Sequence, residues 1–369
     1  RVARSLHAGL GDRAMPITHD PHLHAWRKLE PWEHAMLGSH ETSAKRGAQW
    51  PLAAKLRGRL AQLTGRAAPA LPPDAGLIVP EIFSAEVARA LPALFAATRG
   101  PRVAIFHDAI ALQFPELTPP KTVARFPPYL VELLSFDGIA AVSEDSRDAL
   151  LDYWRWLGVP NPPPVRAIPL GIDTHAPAPN GEISPPPAQP IVLCVASIEG
   201  RKNHPALLAA AELLWSRGEK FALHLIGLAQ TQTGAGALAK IRALQAAGHP
   251  LRYDGPVRDV AVQAAYAACT FTVYPSMIEG FGLPVIESLS HGKPCICSAR
   301  GALGESARGG GCLALATVDA AAIAEAIARL LHTPDALSAL ALQARARHFK
   351  TWSDYAREVT EWICELPRR

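Results

Sequence analysis

The sequence predicts an α/β protein made of two doubly wound, Rossmann-like domains in tandem, facing each other across a cleft. Three observations carry this. From about Asp74, short apolar runs alternate with longer segments of helical periodicity. A Pro-rich stretch breaks the alternation over residues 176–190, and the pattern restarts at Ile191. Continuous apolar strands, each followed by a helix, mark a parallel sheet covered on both faces. A length of 369 residues suits two domains better than one, and an apolar fraction of 49% can supply each with a core.

In the first half the strand-like runs are Gly76–Pro80, Arg102–Phe106, Gly138–Val142 and Val165–Pro169. The helical segments among them are Ala85–Thr98, Pro128–Phe136 and Ser146–Leu157. Residues 176–190 contain Asn180-Gly181 and few large apolar side chains, and read as an interdomain linker. In the second half Ile191–Ala196 is a strand, and Asn203–Arg217 a helix with Asn203 as its N-cap. Phe221–Ile226 is a strand ending at Gly227, Val260–Ala268 a helix and Thr270–Tyr274 a strand. A short helix over Ile286–His291, a strand over Pro294–Ser298 and an amphipathic helix over Ala320–Leu331 follow. Gly234-Ala235-Gly236 lacks the third glycine of a dinucleotide fingerprint and reads as a flexible loop.

The start of the chain is different. Residues 1–10, followed by Gly11-Asp12, read as a helix and its exit, whereas a doubly wound domain opens with a strand. The first domain is therefore expected to lack its first strand and the loop after it.

Composition excludes several classes. A net charge of +4, with no dense Lys and Arg block, does not call for nucleic acid. No run of about 18 uncharged apolar residues spans a membrane, and no signal peptide is visible, so a cytoplasmic location is expected. The six cysteines, such as Cys194 and Cys269 in apolar runs, read as buried reduced thiols. Cys295-Ile296-Cys297 lacks a second pair for zinc, and His19, His22 and His24 read as a polar loop. No metal or other cofactor is expected. Residues 45–66 hold Lys45, Arg46, Lys55, Arg57, Arg59 and Arg66 and no acid, with Trp50, Leu52, Leu56, Leu60 and Leu63 at helical spacing. Pro51 and Gly58 interrupt this pattern. It reads either as a core-facing helix with a solvated basic face or as a basic amphipathic helix lying at a membrane surface.

Two segments carry the chemistry. In the first, Tyr274-Pro275-Ser276-Met277-Ile278-Glu279-Gly280-Phe281-Gly282-Leu283-Pro284-Val285-Ile286-Glu287, a β-rich run ends in a turn. A carboxylate and two glycines around an aromatic ring follow. Pro284 suits the first turn of a helix and Gly292 its exit. The glycines admit close approach of backbone N–H groups, and a helix N-terminus favours phosphate. Glu279 and Glu287 can face one ligand from two sides, and an acidic pair suits sugar hydroxyls. A solvated strand–turn–helix explains the segment equally simply. The second segment is Val195-Ala196-Ser197-Ile198-Glu199-Gly200-Arg201-Lys202-Asn203-His204. Adjacent cations at a strand end, just before a helix, can neutralise a diphosphate without magnesium, although an ordinary solvated loop has the same pattern.

Gly200–His204, Pro275–Glu287 and His291-Gly292-Lys293-Pro294 together resemble the retaining glycosyltransferases of family four, which have the GT-B fold. Phe106-His107-Asp108, Phe114-Pro115-Glu116, Val142–Arg147, Ile168–Asp173, Gly255-Pro256-Val257, Phe349 and Trp352 add to the resemblance, which covers about residues 100–360. Residues 12–73 match nothing nameable. The resemblance implies that Arg201 and Lys202 bind a donor diphosphate and that Glu279 contacts the sugar near the reacting carbon. It further implies that the backbone of Gly280, Phe281, Gly282 and Leu283 holds sugar and phosphate, that Glu287 binds the ribose, and that His107 reaches the transferred sugar. His107 as a core histidine at a strand end is the plainer alternative.

The divisions expected are an acceptor-side domain over 1–175, the linker over 176–190, a nucleotide-sugar domain over 191–350, and a terminal helix over 351–369 returning to the first domain. The expected activity is retaining transfer of a hexose from a nucleoside diphosphate sugar, GDP-mannose before UDP-sugars, to a glycan or lipid-linked hydroxyl. A sugar-nucleotide epimerase and a non-catalytic sugar-binding or scaffold protein are the rivals.

Overall fold

A computed structural model describes the chain except for residues 39–49, 64–71, 73–74, 174–188 and 368–369. The linker expected over 176–190 falls almost wholly outside the described residues, as do Lys45, Arg46 and Arg66. Two compact units are present. One runs from Arg1 to Gly171 and resumes at Thr351, and the other covers Ile172–Lys350.

The first unit opens with α1 (Val2–Leu10), a hairpin of β1 (Ile17–Asp20) and β2 (Ala25–Lys28), α2 (Pro31–Gly38) and α3 (Leu52–Leu63). Then come β3 (Leu77–Val79), α4 (Ala85–Ala96), β4 (Arg102–Phe106), α5 (Ile110–Gln113), α6 (Pro120–Glu132), β5 (Gly138–Ala141), α7 (Glu144–Trp156) and β6 (Val165–Ala167). Strands β3-β4-β5-β6 form a parallel sheet in that order. Its central strands are fully buried and apolar apart from Arg102, whose Nε lies 2.9 Å from Asp137 Oδ2, with Phe106, Tyr129, Leu130, Leu133 and Trp154 in the core.

Four local readings change. The helix placed at Pro128–Phe136 begins at Pro120 and ends in a 3-10 turn over Leu133–Ser135. Pro127 and Pro128 lie inside it, and burial of Phe126, Tyr129 and Leu130 holds the turns that the missing N–H groups weaken. The histidines do not make a simple loop. His19 is in β1, paired across from Trp26, and His24 takes a left-handed conformation (φ 53°) in the turn. Neither Pro51 nor Gly58 breaks α3, since Pro51 precedes it and a Cβ at 58 would press on His22. Finally, the α3 leucines do not face a core. Leu52, Leu56 and Leu60 are 77%, 59% and 64% exposed, while Ala54 on the other face is buried.

The second unit is a six-stranded, wholly parallel sheet. In chain order it contains β7 (Ile191–Val195), α8 (His204–Ser216), β8 (Ala222–Ile226), α9 (Ala235–Ala246), β9 (Leu251–Tyr253), α10 (Asp259–Ala268) and β10 (Phe271–Tyr274). The series continues with α11 (Leu283–Ser290), β11 (Cys295–Ser298), α12 (Gly301–Ala307), β12 (Cys312–Leu315), α13 (Ala320–His332) and α14 (Pro334–Ala346). The strand order is β12-β11-β10-β7-β8-β9. The series runs one way from β7 through β8 and the other way from β10, so the crevice past the carboxyl ends of β7 and β10 is the topological switch point. Gly234 is no flexible loop residue. It opens α9, and a Cβ there would lie 2.1 Å from the Ile198 carbonyl oxygen. Cys194, Cys269, Cys295 and Cys297 are buried free thiols, Cys312 is half-buried and Cys364 is exposed.

The chain ends in α15 (Trp352–Glu365), which belongs to the first unit and packs on α1. Its start carries a capping box between Thr351 and Asp354. Gly9 of α1 approaches it so closely that a Cβ would lie 2.5 Å from Ala356 Cβ.

Candidate active site

The site is built where β7 and β10, paired in the middle of the second sheet, end side by side. After β7 the chain passes through Ala196–Glu199 into a 3-10 turn, Gly200–Lys202, and Asn203 then reverses it in a left-handed conformation (φ 54°). Asn203 does occupy the residue before α8, but its side chain makes no cap. Its amide donates instead to the Val318 carbonyl at 2.7 Å, tying the turn to the segment before α13. After β10, the loop from Pro275 reaches Gly282, whose φ of +94° turns the chain into α11. A Cβ at Gly282 would meet Leu303 at 2.7 Å. The helix begins at Leu283, earlier than the expected Ile286, because Pro284 is preset for its first turn.

Glu279 is the hub. Its Oε1 accepts from the Tyr274 hydroxyl at 2.8 Å, the Ser276 hydroxyl at 2.5 Å and the Lys202 ammonium, which also donates to the Tyr274 oxygen at 2.5 Å. Its Oε2 accepts from Arg201 Nη1 at 2.6 Å. Arg201 Nη2 lies 3.0 Å from Glu199 Oε1, so one guanidinium bridges two carboxylates. The backbone closes the arrangement: Met277 N–H donates to the Arg201 carbonyl at 2.9 Å.

Burial raises the Glu279 carboxyl, but the charges of Lys202 and Arg201 outweigh it and hold the group below its ordinary range, as a carboxylate. Burial also works against the Arg201 charge, and Glu279 and Glu199 more than offset it, so its pKa is raised. Two cations and two carboxylates make the cluster neutral as it stands. Lys202 and Glu279 are buried, whereas the Arg201 side chain is 24% exposed.

Gly280, Phe281, Gly282 and Leu283 run from the hub to the α11 N-terminus, where Pro284 has no N–H and Val285 N–H donates to the Gly282 carbonyl at 3.0 Å. Ser306 fixes this stretch by donating to the Phe281 carbonyl at 2.8 Å. Glu287 lies one turn into α11 and its Oε2 is 3.3 Å from the Tyr266 hydroxyl. Tyr266 in turn stacks on His291, with ring centroids 5.2 Å apart. His204, at the start of α8, is buried, and burial together with Lys202 takes its pKa down to about 4.

His107 belongs to the other unit. It follows β4 and its Nε2 is 2.8 Å from the Pro80 carbonyl, which assigns the proton to that nitrogen. The side chain is 22% exposed, so His107 is not sealed in the core.

Sequence reading thus picked out Glu279, Arg201, Lys202 and Glu287, but gave no role to Glu199, Tyr274, Ser276 or Tyr266. Glu199, Tyr274 and Ser276 stand inside the two segments read for chemistry. Spacing along a chain does not reveal that two hydroxyls and two cations converge on one carboxylate. Among the described residues no group of three or more His, Cys, Asp or Glu is arranged to hold a metal.

Residues 181–347 match the family model for glycosyl transferases group 1. The serotype-specific mannosyltransferase WbdA of Escherichia coli is 28% identical over 206 residues, covering 52% of this chain and 25% of that one. The chain thus spans about a quarter of that relative's length. Among solved structures, the sucrose-phosphate synthase of Thermosynechococcus elongatus aligns over 85% of this chain and 77% of its own, with a TM-score of 0.64 and 22% identity. HepE of Anabaena, solved with UDP and glucose, aligns over 78% of each chain, with a TM-score of 0.61 and 17% identity. At these identities the structural likeness establishes a shared α/β fold, that of the GT-B glycosyltransferases.

Proposed function

We propose that this chain, whose second unit carries a glycosyl transferases group 1 domain with mannosyltransferase relatives, transfers a hexose from a nucleoside diphosphate sugar to a hydroxyl of a glycan or lipid-linked acceptor. The observation that carries the reading is the Glu279 hub at the switch point of the second sheet, beside the N-termini of α8 and α11. In this reading Arg201 moves from Glu199 or Glu279 to the donor diphosphate, and the backbone from Gly280 to Leu283 cradles phosphate and sugar. Glu287, oriented by Tyr266, accepts from ribose hydroxyls. Glu279 is held ionised beside the sugar ring. Stabilising the leaving diphosphate is the main contribution of the protein. Transfer then proceeds with retention at the anomeric carbon and without a metal.

Likeness to a mannosyltransferase supports mannose, and hence GDP-mannose, as the first donor to test. HepE, solved with UDP and glucose, keeps UDP-sugars next. Calorimetry with GDP and UDP, followed by assay of nucleoside diphosphate release with and without acceptor, tests the reading. Binding without acceptor-dependent release would favour a non-catalytic sugar-nucleotide-binding protein, and product with an inverted anomeric centre would overturn retention.

We further propose that α3 rests on a membrane surface. Leu52, Leu56 and Leu60 make an exposed stripe at helical spacing, and Lys55, Arg57 and Arg59 flank it. Exposed apolar residues beside cations suit an anionic interface. No helix among the described residues is long and apolar enough to cross a membrane.

A further inference from the structure

Between α5 and α7, on the first unit, lies an open groove of about 350 Å³. It is lined by Ala109, Leu112, Gln113, Ala149, Asp152, Tyr153 and Trp156. The two rings are 5.9 Å apart between centroids and tilted by 30°, forming one continuous surface. Trp156 is 78% exposed, an unusual position for the largest apolar side chain.

From this geometry we infer that the groove is a saccharide-binding subsite that holds the distal part of an acceptor glycan. The inference rests on the glycosyltransferase reading above and deepens it. A pyranose ring has two chemistries: a face of C–H groups that packs on an aromatic ring, and a rim of hydroxyls that needs donors and acceptors. Tyr153 and Trp156 offer the first, and the Gln113 amide and Asp152 carboxylate the second. The volume admits a short saccharide and no folded partner. Asp152 is the one charged residue of the lining and already accepts from Arg155 Nη1 at 2.5 Å, and an acyl chain would leave the Gln113 amide without a partner.

Both walls are fastened to the strand end that carries His107. Asp108 Oδ1 accepts from Ile110 N–H at 3.0 Å, which sets the start of α5, and Ser146 in the first turn of α7 donates to the His107 carbonyl at 3.1 Å. Trp156 is ten residues beyond Ser146, about 15 Å along the helix at 1.5 Å per residue. The groove therefore starts at Ala109, two residues from His107, and runs out to Trp156, far enough along α7 to hold sugar units behind the reacting one.

The test is a titration of the full chain, without nucleotide, by saturation-transfer NMR using mannan, glucan and galactan oligosaccharides of increasing length. At least one series should bind, with saturation passing from the protein to the ring protons of the sugar. Trp156→Ala should weaken that binding at least tenfold, whereas Trp156→Phe should restore most of it. Affinity for GDP or UDP should be equal in all three proteins. In turnover, Trp156→Ala should raise KM for long acceptors, leave kcat unchanged and have no effect on a monosaccharide acceptor. Absence of binding by every series, or equal binding by Trp156→Ala, overturns the inference. So does a Trp156-dependent dimer in sedimentation, which would assign the face to a second copy. Failure of the glycosyltransferase reading would appear separately, as loss of nucleotide binding in the unaltered chain.

Discussion

Lys202 and Glu279 form an ion pair in which both side chains are more than nine-tenths buried, with the Tyr274 hydroxyl between them. They are 77 residues apart in sequence. Removing one partner of such a pair strands a charge away from water. Lys202→Ala should therefore cost about 3–5 kcal/mol of stability. Urea unfolding followed by circular dichroism measures this, and a midpoint equal to that of the unaltered chain would refute the pairing.

Arg201 differs because it is partly exposed and shared between Glu199 and Glu279. Arg201→Ala should weaken nucleoside diphosphate binding by roughly 1.5–3 kcal/mol, the range for charge-assisted hydrogen bonds. Its effect on stability should be smaller than that of Lys202→Ala. Calorimetry on folded protein decides, and undiminished affinity would remove Arg201 from the donor site.

His204 predicts an acid-sensitive fold. Its pKa is about 4 against an ordinary 6.5, so the folded state keeps the ring neutral while the unfolded chain takes up a proton below 6.5. The contribution is whole above pH 6.5 and declines as pH falls toward 4. The difference of about 2.5 units corresponds to about 3 kcal/mol at most. His204→Phe should flatten the stability profile between pH 6.5 and 5. An equally steep profile in the variant would assign that acid sensitivity to other groups.

Turnover should persist in EDTA. Arg201 and the α11 N-terminus supply the positive field that a magnesium ion would otherwise give a diphosphate. Activity abolished by EDTA and restored by manganese would show that the cluster is insufficient.

The exposed stripe of α3 should bring the chain down with phosphatidylglycerol vesicles at low salt, and salt should release it. Each basic residue near the surface adds about 1 kcal/mol, so replacing Lys55, Arg57 and Arg59 together should release most of the bound protein. Equal sedimentation of that variant would exclude α3 as the contact.

Much of the architecture is legible in the chain alone. Arg102–Phe106 and Gly138–Val142 read as strands because a strand covered on both faces must be apolar throughout, a property of adjacent residues. Pro284 and Gly292 mark the ends of α11 because φ is restricted at one and released at the other, again locally. Glu279 and Glu287 stand out for the same reason, as carboxylates at the mouth of a helix.

What the sequence by itself determined, then, is the strand–helix alternation over much of each half, without β1, β2, α9, β9, α12, β12 or α14, and the segments that carry charge to the strand ends. Only the tertiary structure decided the partners of those charges. Arg201 and Lys202 look like two free cations in sequence, yet both are held by Glu279, with Glu199, Tyr274 and Ser276 completing a neutral cluster. The outward stripe of α3 was settled in the same way, because helical spacing aligns leucines on one face without saying what covers it. Period and turn chemistry act over a few residues, whereas burial and ion pairing depend on what the sheet order brings alongside from far away in the chain.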